Sequence, residues 1–309
     1  MIFFSIIIPT FNRAHSIDKA IKSLLNQTFQ DFEIIIIDDS SSDNTFDVIK
    51  SIEDNRIVYF KNSQNQERCI SRNKAIDIAK GEYICFLDSD DYHLTNHLET
   101  IYNSIKINNF TKAFYFVNAW NETEEGQRTE RTCPDFNKYD PFTYFLHFTV
   151  NPQRWAVHNS IFEKVKFDPE VIICEDMDTS LRIAAKGYPI IQINERTTVY
   201  VAAADSFTHG DKNKWEKELF YLKRIFSKKE LLPFLPKKEK NRLISMCYFH
   251  ISQKCFGANR KLKTILNGLI SLFYFPNGYN GKTNKILFVS ILYSIPIVSS
   301  LIRFIKKMK

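Results

Sequence analysis

Three carboxylates fall within four positions in "FLDSDDYH", at Asp88, Asp90 and Asp91, directly after "EYICFL", a run apolar enough to be a buried strand. Each charge raises the cost of its neighbours, so the cluster calls either for a hard divalent cation bound through oxygen or for turn and helix-cap duties. Mg²⁺ or Mn²⁺ would cancel the mutual repulsion, and the natural second partner of such an ion is a diphosphate. No Walker loop and no G-x-G-x-x-G occurs, so a phosphate here is held mainly by the cation. Two further acidic sets stand elsewhere. Asp38 and Asp39 close the run "FEIIII", where they can accept hydrogen bonds from a base or ribose, or cap the turn "SSSDN". Glu175 and Asp176 open "EDMDTSLRIAAKGY", where a carboxylate can act as a base or as a helix cap. Arg72 in "SRNKAI" either reaches the same nucleotide or lies solvated on a helix.

The elements that must position these residues are legible as runs and periods. "FFSIII", "FEIIII" and "YICFL" are continuously apolar, the pattern of parallel strands covered on both faces. Ile17, Ala20, Ile21, Leu24 and Leu25 repeat at helical spacing, as do Phe46, Ile49 and Ile52 after Asp43, and Leu98, Ile101, Tyr102 and Ile105 behind Thr95. The order β-α-β-α-β-α predicts an α/β fold with a mostly parallel sheet flanked by helices. In such sheets ligands sit beyond the carboxyl ends of the strands, here "PTFNR", "DDSSSDN" and "DSDD". A fourth strand is expected at "AFYFVN", then a polar loop or hairpin at "NETEEGQRTERTCPDFNKYD". A helix of about ten residues opened by Glu175 and Asp176 and closed by Gly187 follows, with another strand after it.

The chain has 309 residues, 44% of them hydrophobic, enough to bury a full core, and a net charge of +7 that alone chooses no partner. Six scattered cysteines form no C-x-x-C pair, which predicts free thiols, a reducing compartment and no structural metal site. The apolar N-terminus lacks a basic leader and a small-residue cleavage site, so it is expected to be a strand in a cytoplasmic protein.

The ordered set "SIIIPTFNR … SLLNQTFQDFEIIIIDDSSSDNT … SRNKAIDIAKGEYICFLDSDD … EDMDTSLRIAAKGY" closely resembles the family 2 glycosyltransferases, inverting enzymes of the GT-A fold, over about the first two thirds of the chain. The resemblance implies that Pro9, Thr10, Phe11 and Asn12 pack against a nucleotide base, with Asp39 as base-binding carboxylate and Arg72 nearby. It makes Asp88-Ser89-Asp90 the family's D-x-D, with Asp88 toward the ribose and Asp90 on the metal. Glu175-Asp176 becomes the E-D motif, with Asp176 as catalytic base. At a helix N-terminus Asp176 is expected to stay ionised through backbone N–H groups. A Tyr-Arg-x-His segment common in the family is replaced by Tyr200-Val201-Ala202-Ala203, leaving His209 as the candidate for the missing phosphate or metal contact. Cys174 stands where Gly is common and is expected to be a buried thiol. Trp155 and His158 lie where the family builds its acceptor side; Trp155 either stacks on a sugar or packs in the core.

The expected division is residues 1–214 as the GT-A domain and 215–309 as a helical, basic appendage. Within it, Ile286 to Ile302 carries no charge but contains Pro296 and has basic residues on both sides. That favours an in-plane or shallow re-entrant segment on the inner leaflet over a span, with a core helix of an oligomer as the alternative. The expected activity is inverting transfer, assisted by Mg²⁺ or Mn²⁺, of a sugar from a nucleotide sugar, most often UDP in this family. The acceptor is a hydroxyl of a glycan or lipid-linked saccharide in bacterial surface polysaccharide synthesis, at the inner membrane face and without nucleic acid. The alternatives are a sugar nucleotidyltransferase, which normally has a glycine-rich loop where this chain has "PTFNR", and a non-catalytic membrane-associated sugar-binding protein.

Overall fold

A computed structural model describes residues 2–202, 213–258 and 260–275, and the chain divides into two compact units, Met1–His209 and Gly210–Lys309. In the first unit the apolar runs become β1 (Phe4–Thr10), β2 (Phe32–Asp38) and β4 (Tyr83–Phe86). Between them lie α1 (Ile17–Leu25), α2 (Thr45–Lys50), β3 (Ile57–Lys61) and α3 (Glu67–Ile78). β5 (Tyr92–His93), α4 (His97–Ile107), the hairpin of β6 (Phe114–Glu122) and β7 (Arg128–Arg131), and α5 (Pro141–His147) follow. β8 (Trp155–His158), the single turn α6 (Asn159–Phe162), α7 (Glu175–Ala185) and β9 (Ile190–Val201) complete this unit.

Neither β3 nor α3 stands out in the sequence. β3 is the edge strand, half-buried at Ile57 to Tyr59 and exposed at Phe60 and Lys61, so it lacks a continuous buried run. α3 buries Cys69, Ser71, Arg72, Ala75 and Ile76, a face too polar to show as an apolar stripe.

Among the described residues the sheet runs β3-β2-β1-β4-β8-β6-β9-β5, with β7 on β6. β3, β2, β1 and β4 are parallel neighbours, whereas β8 is antiparallel to both β4 and β6, and β9 is parallel to β6. The chain leaves β1 toward β2 on one side and returns as β4 on the other, so a topological switch point lies between β1 and β4. Because β8 reverses direction, its first residue stands beside the carboxyl end of β4 and its last, His158, pairs with Tyr83 at the start of that strand.

The continuous apolar runs bury both faces. Ile6, Ile8, Ile34 and Ile36 join Ile17, Ala20, Ile21 and Leu24 of α1 and Leu98, Ile101 and Ile105 of α4 in one cluster. Each such side chain contributes about 1.5–3 kcal/mol by leaving water. On the opposite face the Phe86 ring meets the edges or faces of Trp155, Phe162 and Phe167. All six cysteines are free.

The second unit contains α8 (Lys214–Ile225), α9 (Lys237–Gly257) and α10 (Lys261–Tyr274). No helix among the described residues is long and apolar enough to cross a membrane. His209 and the apolar segment from Ile286 to Ile302 lie outside the described residues.

Candidate active site

The carboxyl ends of β1, β2 and β4 open into a cavity of about 570 Å³. The loop after β1 is pinned to the loop after β2. Asn12, at φ 52°, donates its backbone N–H to Ser41 Oγ at 2.9 Å and accepts from Ser42 N at 2.9 Å. Asn12 is thus committed to the 41–42 loop, while Pro9, Thr10 and Phe11 line the cavity. Asp38 serves the turn, accepting from Ser41 N at 2.7 Å and the Tyr59 hydroxyl at 2.8 Å. Asp39 lines the cavity, and its Oδ1 accepts from Asn62 Nδ2 at 2.8 Å and Gln66 N at 2.9 Å.

The three carboxylates after β4 divide their work. Asp88 and Asp90 line the cavity with partly exposed side chains, Asp88 bonded by Arg72 Nη2 at 3.1 Å and Asp90 lying 3.7 Å from Arg13 Nη2. Asp91 is buried, its oxygens accepting from Val201 N at 2.8 Å and Gln153 Nε2 at 2.7 Å. Burial, with Asp88 and Asp90 adding repulsion, pushes its carboxyl well above the usual range, and its bond from Val201 ties the loop to the end of β9. Asp88 and Asp90 are left as the pair able to hold a cation. Among the described residues no group of three acidic, His or Cys side chains forms a ready-made metal cage. Two hard oxygens facing a cavity nevertheless fit a divalent ion that takes its other ligands from water and phosphate, the habit of Mg²⁺ and Mn²⁺.

Glu175 and Asp176 stand behind the wall rather than in it. Glu175 Oε1 accepts from Arg72 Nη1 at 3.0 Å and lies 3.6 Å from Arg68 Nη1, and Arg72 itself is 2% exposed. The Arg72 guanidinium therefore spans 103 residues of sequence to join α3, the Asp88 loop and α7. Asp176 Oδ1 accepts only from the backbone N–H of Met177, at 2.7 Å, and Oδ2 from Asn151 Nδ2 at 3.1 Å. Burial and the neighbouring Glu175 charge raise its carboxyl to about 7, which corrects the expectation that the helix terminus keeps it ionised. Desolvation outweighs the helix end here. The Asn151 amide cannot turn round without loss, because its Oδ1 accepts from both Arg131 Nη2 and the Tyr200 hydroxyl at 3.2 Å. The Arg131 guanidinium also lies 4.3 Å over the Tyr200 ring.

Cys174 is corrected too. It is half-exposed and, as the residue before α7, sits in the left-handed region at φ 63°, which explains why a glycine suits this position. Cys174→Gly should relieve the cost of a Cβ in the left-handed region and fold at least as stably as the wild type, whereas Cys174→Val, β-branched at positive φ, should lose stability in urea melts. A Val variant as stable as the wild type would mean that this strain is absent.

Trp155 and His158 do not reach the cavity. Trp155 is fully buried, parallel to Phe167 at 5.9 Å, with Nε1 donating to Val150 O at 2.7 Å. His158 caps α6 at the end of the strands opposite the cavity, beside the start of β4, where the reversed direction of β8 puts it. Sequence reasoning missed Arg13, Arg68, Arg131, Asn151, Gln153 and Tyr200, all of which line the cavity. Arg68 could have been found, since it lies one helical turn before Arg72, Arg13 ends the strand end "PTFNR" and Tyr200 opens the segment that stands for Tyr-Arg-x-His; Arg131, Asn151 and Gln153 come from elements with no local signal.

The comparisons agree with this geometry. Residues 5–166 match the family described as "Glycosyl transferase family 2". The UDP-Glc:alpha-D-GlcNAc-diphosphoundecaprenol beta-1,3-glucosyltransferase WfaP of Escherichia coli is 31% identical over 264 residues, 83% of this chain and 97% of that protein. A GalNAc(5)-diNAcBac-PP-undecaprenol beta-1,3-glucosyltransferase of Campylobacter jejuni is 48% identical over 101 residues, 31% of this chain and 32% of that one. S. aureus TarS 1–349 in complex with UDP-GlcNAc superposes with a TM-score of 0.62 at 16% identity, covering 98% of this chain and 92% of that one. The mannosyltransferase PcManGT of Pyrobaculum calidifontis, in complex with GDP-Man and Mn²⁺, gives 0.57 at 17% identity, covering 94% and 86%. An acidic edge at the switch point of a GT-A sheet, a family match over half the chain and a relative aligned almost end to end have one reading: this chain is a glycosyltransferase and belongs to glycosyl transferase family 2.

Proposed function

We propose that the protein transfers a sugar, with inversion at the anomeric carbon, from a UDP-sugar to a hydroxyl of a lipid-linked saccharide during assembly of a bacterial surface polysaccharide, at the inner face of the membrane. The observation that carries this reading is the pairing of a cavity walled by Asp39, Asp88 and Asp90 with a proton-accepting carboxylate, Asp176, fixed behind it by Asn151. TarS has been seen with UDP and with UDP-GlcNAc, and the WfaP and C. jejuni relatives are named for acceptors on undecaprenol diphosphate, which supports the donor and acceptor classes.

In this reading Pro9, Thr10 and Phe11 support the base and Asp39 accepts its hydrogen bonds. Arg72 holds Asp88 toward the ribose, while Arg13 steadies Asp90. Asp88 and Asp90 are the residues that would hold the divalent cation, which when bound neutralises charge on the departing diphosphate. Asp176 takes the proton of the acceptor hydroxyl as its oxygen forms the bond to the anomeric carbon and the bond from that carbon to the phosphate oxygen breaks, releasing UDP. A carboxylate raised to about 7 is a stronger base than an exposed one and is still half ionised near neutrality. Asn151 fixes which lone pairs of Asp176 remain for the acceptor.

Nucleotide release from UDP-, GDP-, dTDP- and CMP-sugars, with Mg²⁺ or Mn²⁺ against EDTA, tests the reading. A UDP-sugar should turn over, and EDTA or Asp90→Ala should lower the rate on the order of 100-fold, a few kcal/mol of lost charge stabilisation. Preference for a GDP- or CMP-sugar would remove the UDP assignment, and an undiminished rate in EDTA would remove the cation.

A further inference from the structure

The net charge of +7 conceals a division between the two units. Residues 1–209 carry 21 Lys or Arg against 30 Asp or Glu, and residues 210–309 carry 21 against five, a balance of −9 against +16. Within the basic unit, α10 contains no acidic residue and follows Arg260. Its Leu262, Leu266, Leu269 and Phe273 are 80%, 56%, 53% and 83% exposed. Spacings of four, three and four residues place these side chains on one stripe. The opposite side is the one that packs on α9: Ser271 exchanges hydrogen bonds with Ser245, and Ser252 donates to Thr264 O at 2.8 Å. That inward side also carries the Tyr274 ring, stacked on Tyr248 of α9 at 5.9 Å, so three leucines and a phenylalanine are left facing outward in line and mark a contact surface.

We infer that the Leu262–Leu266–Leu269–Phe273 face of α10 docks onto an anionic lipid bilayer, with the helix lying in the plane of the headgroups. The partner follows from the two properties together. Lysines and arginines alone would suit any polyanion, including nucleic acid, but a phosphate backbone offers no continuous apolar surface to a row of three leucines along a helix. A bilayer with acidic headgroups takes the apolar stripe at its acyl boundary and the positive charge at its surface. The inference deepens the membrane-side reading above and rests on it for its setting, yet it concerns a helix of the C-terminal unit that the catalytic cavity does not use.

The test is co-sedimentation of the full chain with phosphatidylglycerol-containing vesicles and with phosphatidylcholine vesicles, beside the double variant Leu262→Glu, Phe273→Glu. Wild type should bind the anionic vesicles at least about tenfold more tightly than the neutral ones, and the variant should lose about tenfold on the anionic vesicles with UDP-sugar hydrolysis unchanged. Undiminished binding by the variant would overturn the inference. So would a variant that binds vesicles fully but melts at lower temperature, the result expected if the chain's own residues 276–309 covered the stripe. Equal binding of wild type to neutral vesicles, or binding to duplex DNA with none to vesicles, would overturn it as well. If the Glu variant does not fold, Leu266→Asn with Leu269→Asn gives the same readout at lower charge. Transfer to a lipid-linked acceptor is measured separately, so failure of the acceptor reading leaves the vesicle result standing.

Discussion

Asp176→Asn should abolish sugar transfer by roughly 1000-fold while leaving donor binding intact, since positioned general bases supply about 10²–10⁴. Wild-type kcat/KM should fall tenfold per pH unit below about 7, where burial and Glu175 hold the carboxyl protonated. The same substitution should raise stability, with a sign that follows from linkage. The folded-state value lies above the unfolded one, so the fold binds the proton more tightly and loses stability as pH rises from about 4 to about 7. Asn imitates the protonated form. The variant should therefore be a few kcal/mol more stable than wild type at pH 8, with the gap closing below pH 4. Asn151→Asp replaces a donor by a second carboxylate and should move the acid limb upward; Asn151→Ala should lower kcat more than it raises KM. An Asp176→Asn enzyme with near-normal transfer would remove the base assignment, whereas a dead Asp176→Asn beside an unshifted Asn151→Asp profile would remove only the role of Asn151.

The second large effect belongs to Arg72. Arg72→Met should cost about 3–5 kcal/mol, because Glu175 is 7% exposed and loses its 3.0 Å partner, leaving the 3.6 Å contact to Arg68. At roughly 2–4 °C per kcal/mol the melting temperature should fall by about 6–20 °C. Adding Glu175→Leu should recover most of that loss, since removing both partners leaves no buried charge. A single variant that melts with the wild type would show that Glu175 is solvated or paired elsewhere. Activity should fall too, because the same guanidinium holds Asp88 at the cavity. Glu175, named with Asp176 as a catalytic pair on sequence grounds, is bonded by Arg72 Nη1 at 3.0 Å, and the double variant measures that pairing.

What the sequence determined by itself was the half of the protein built from local pattern. Continuous apolar runs mark β1, β2 and β4 because parallel strands are buried on both faces, and α1 and α7 show their periods and ends. Once those strands are parallel, their carboxyl ends must share an edge, so Asp39, Asp88 and Asp90 could be brought together from the sequence, with Arg72 added by the family resemblance. The tertiary structure decided what depends on residues far apart. The reversed course of β8 puts Asn151 and Gln153 at the cavity, Trp155 in the core and His158 at the opposite end of the strands. Asp91, adjacent in sequence to Asp90, became a buried tether through Val201, 110 residues away. Asp176 took its character from burial and from Asn151, which is oriented by Arg131 and Tyr200 on two other strands. A residue's type and spacing state which bonds it can make. Whether it makes them with solvent, substrate or the rest of the chain is set by desolvation and long-range pairing, and neither is written in a local window of sequence.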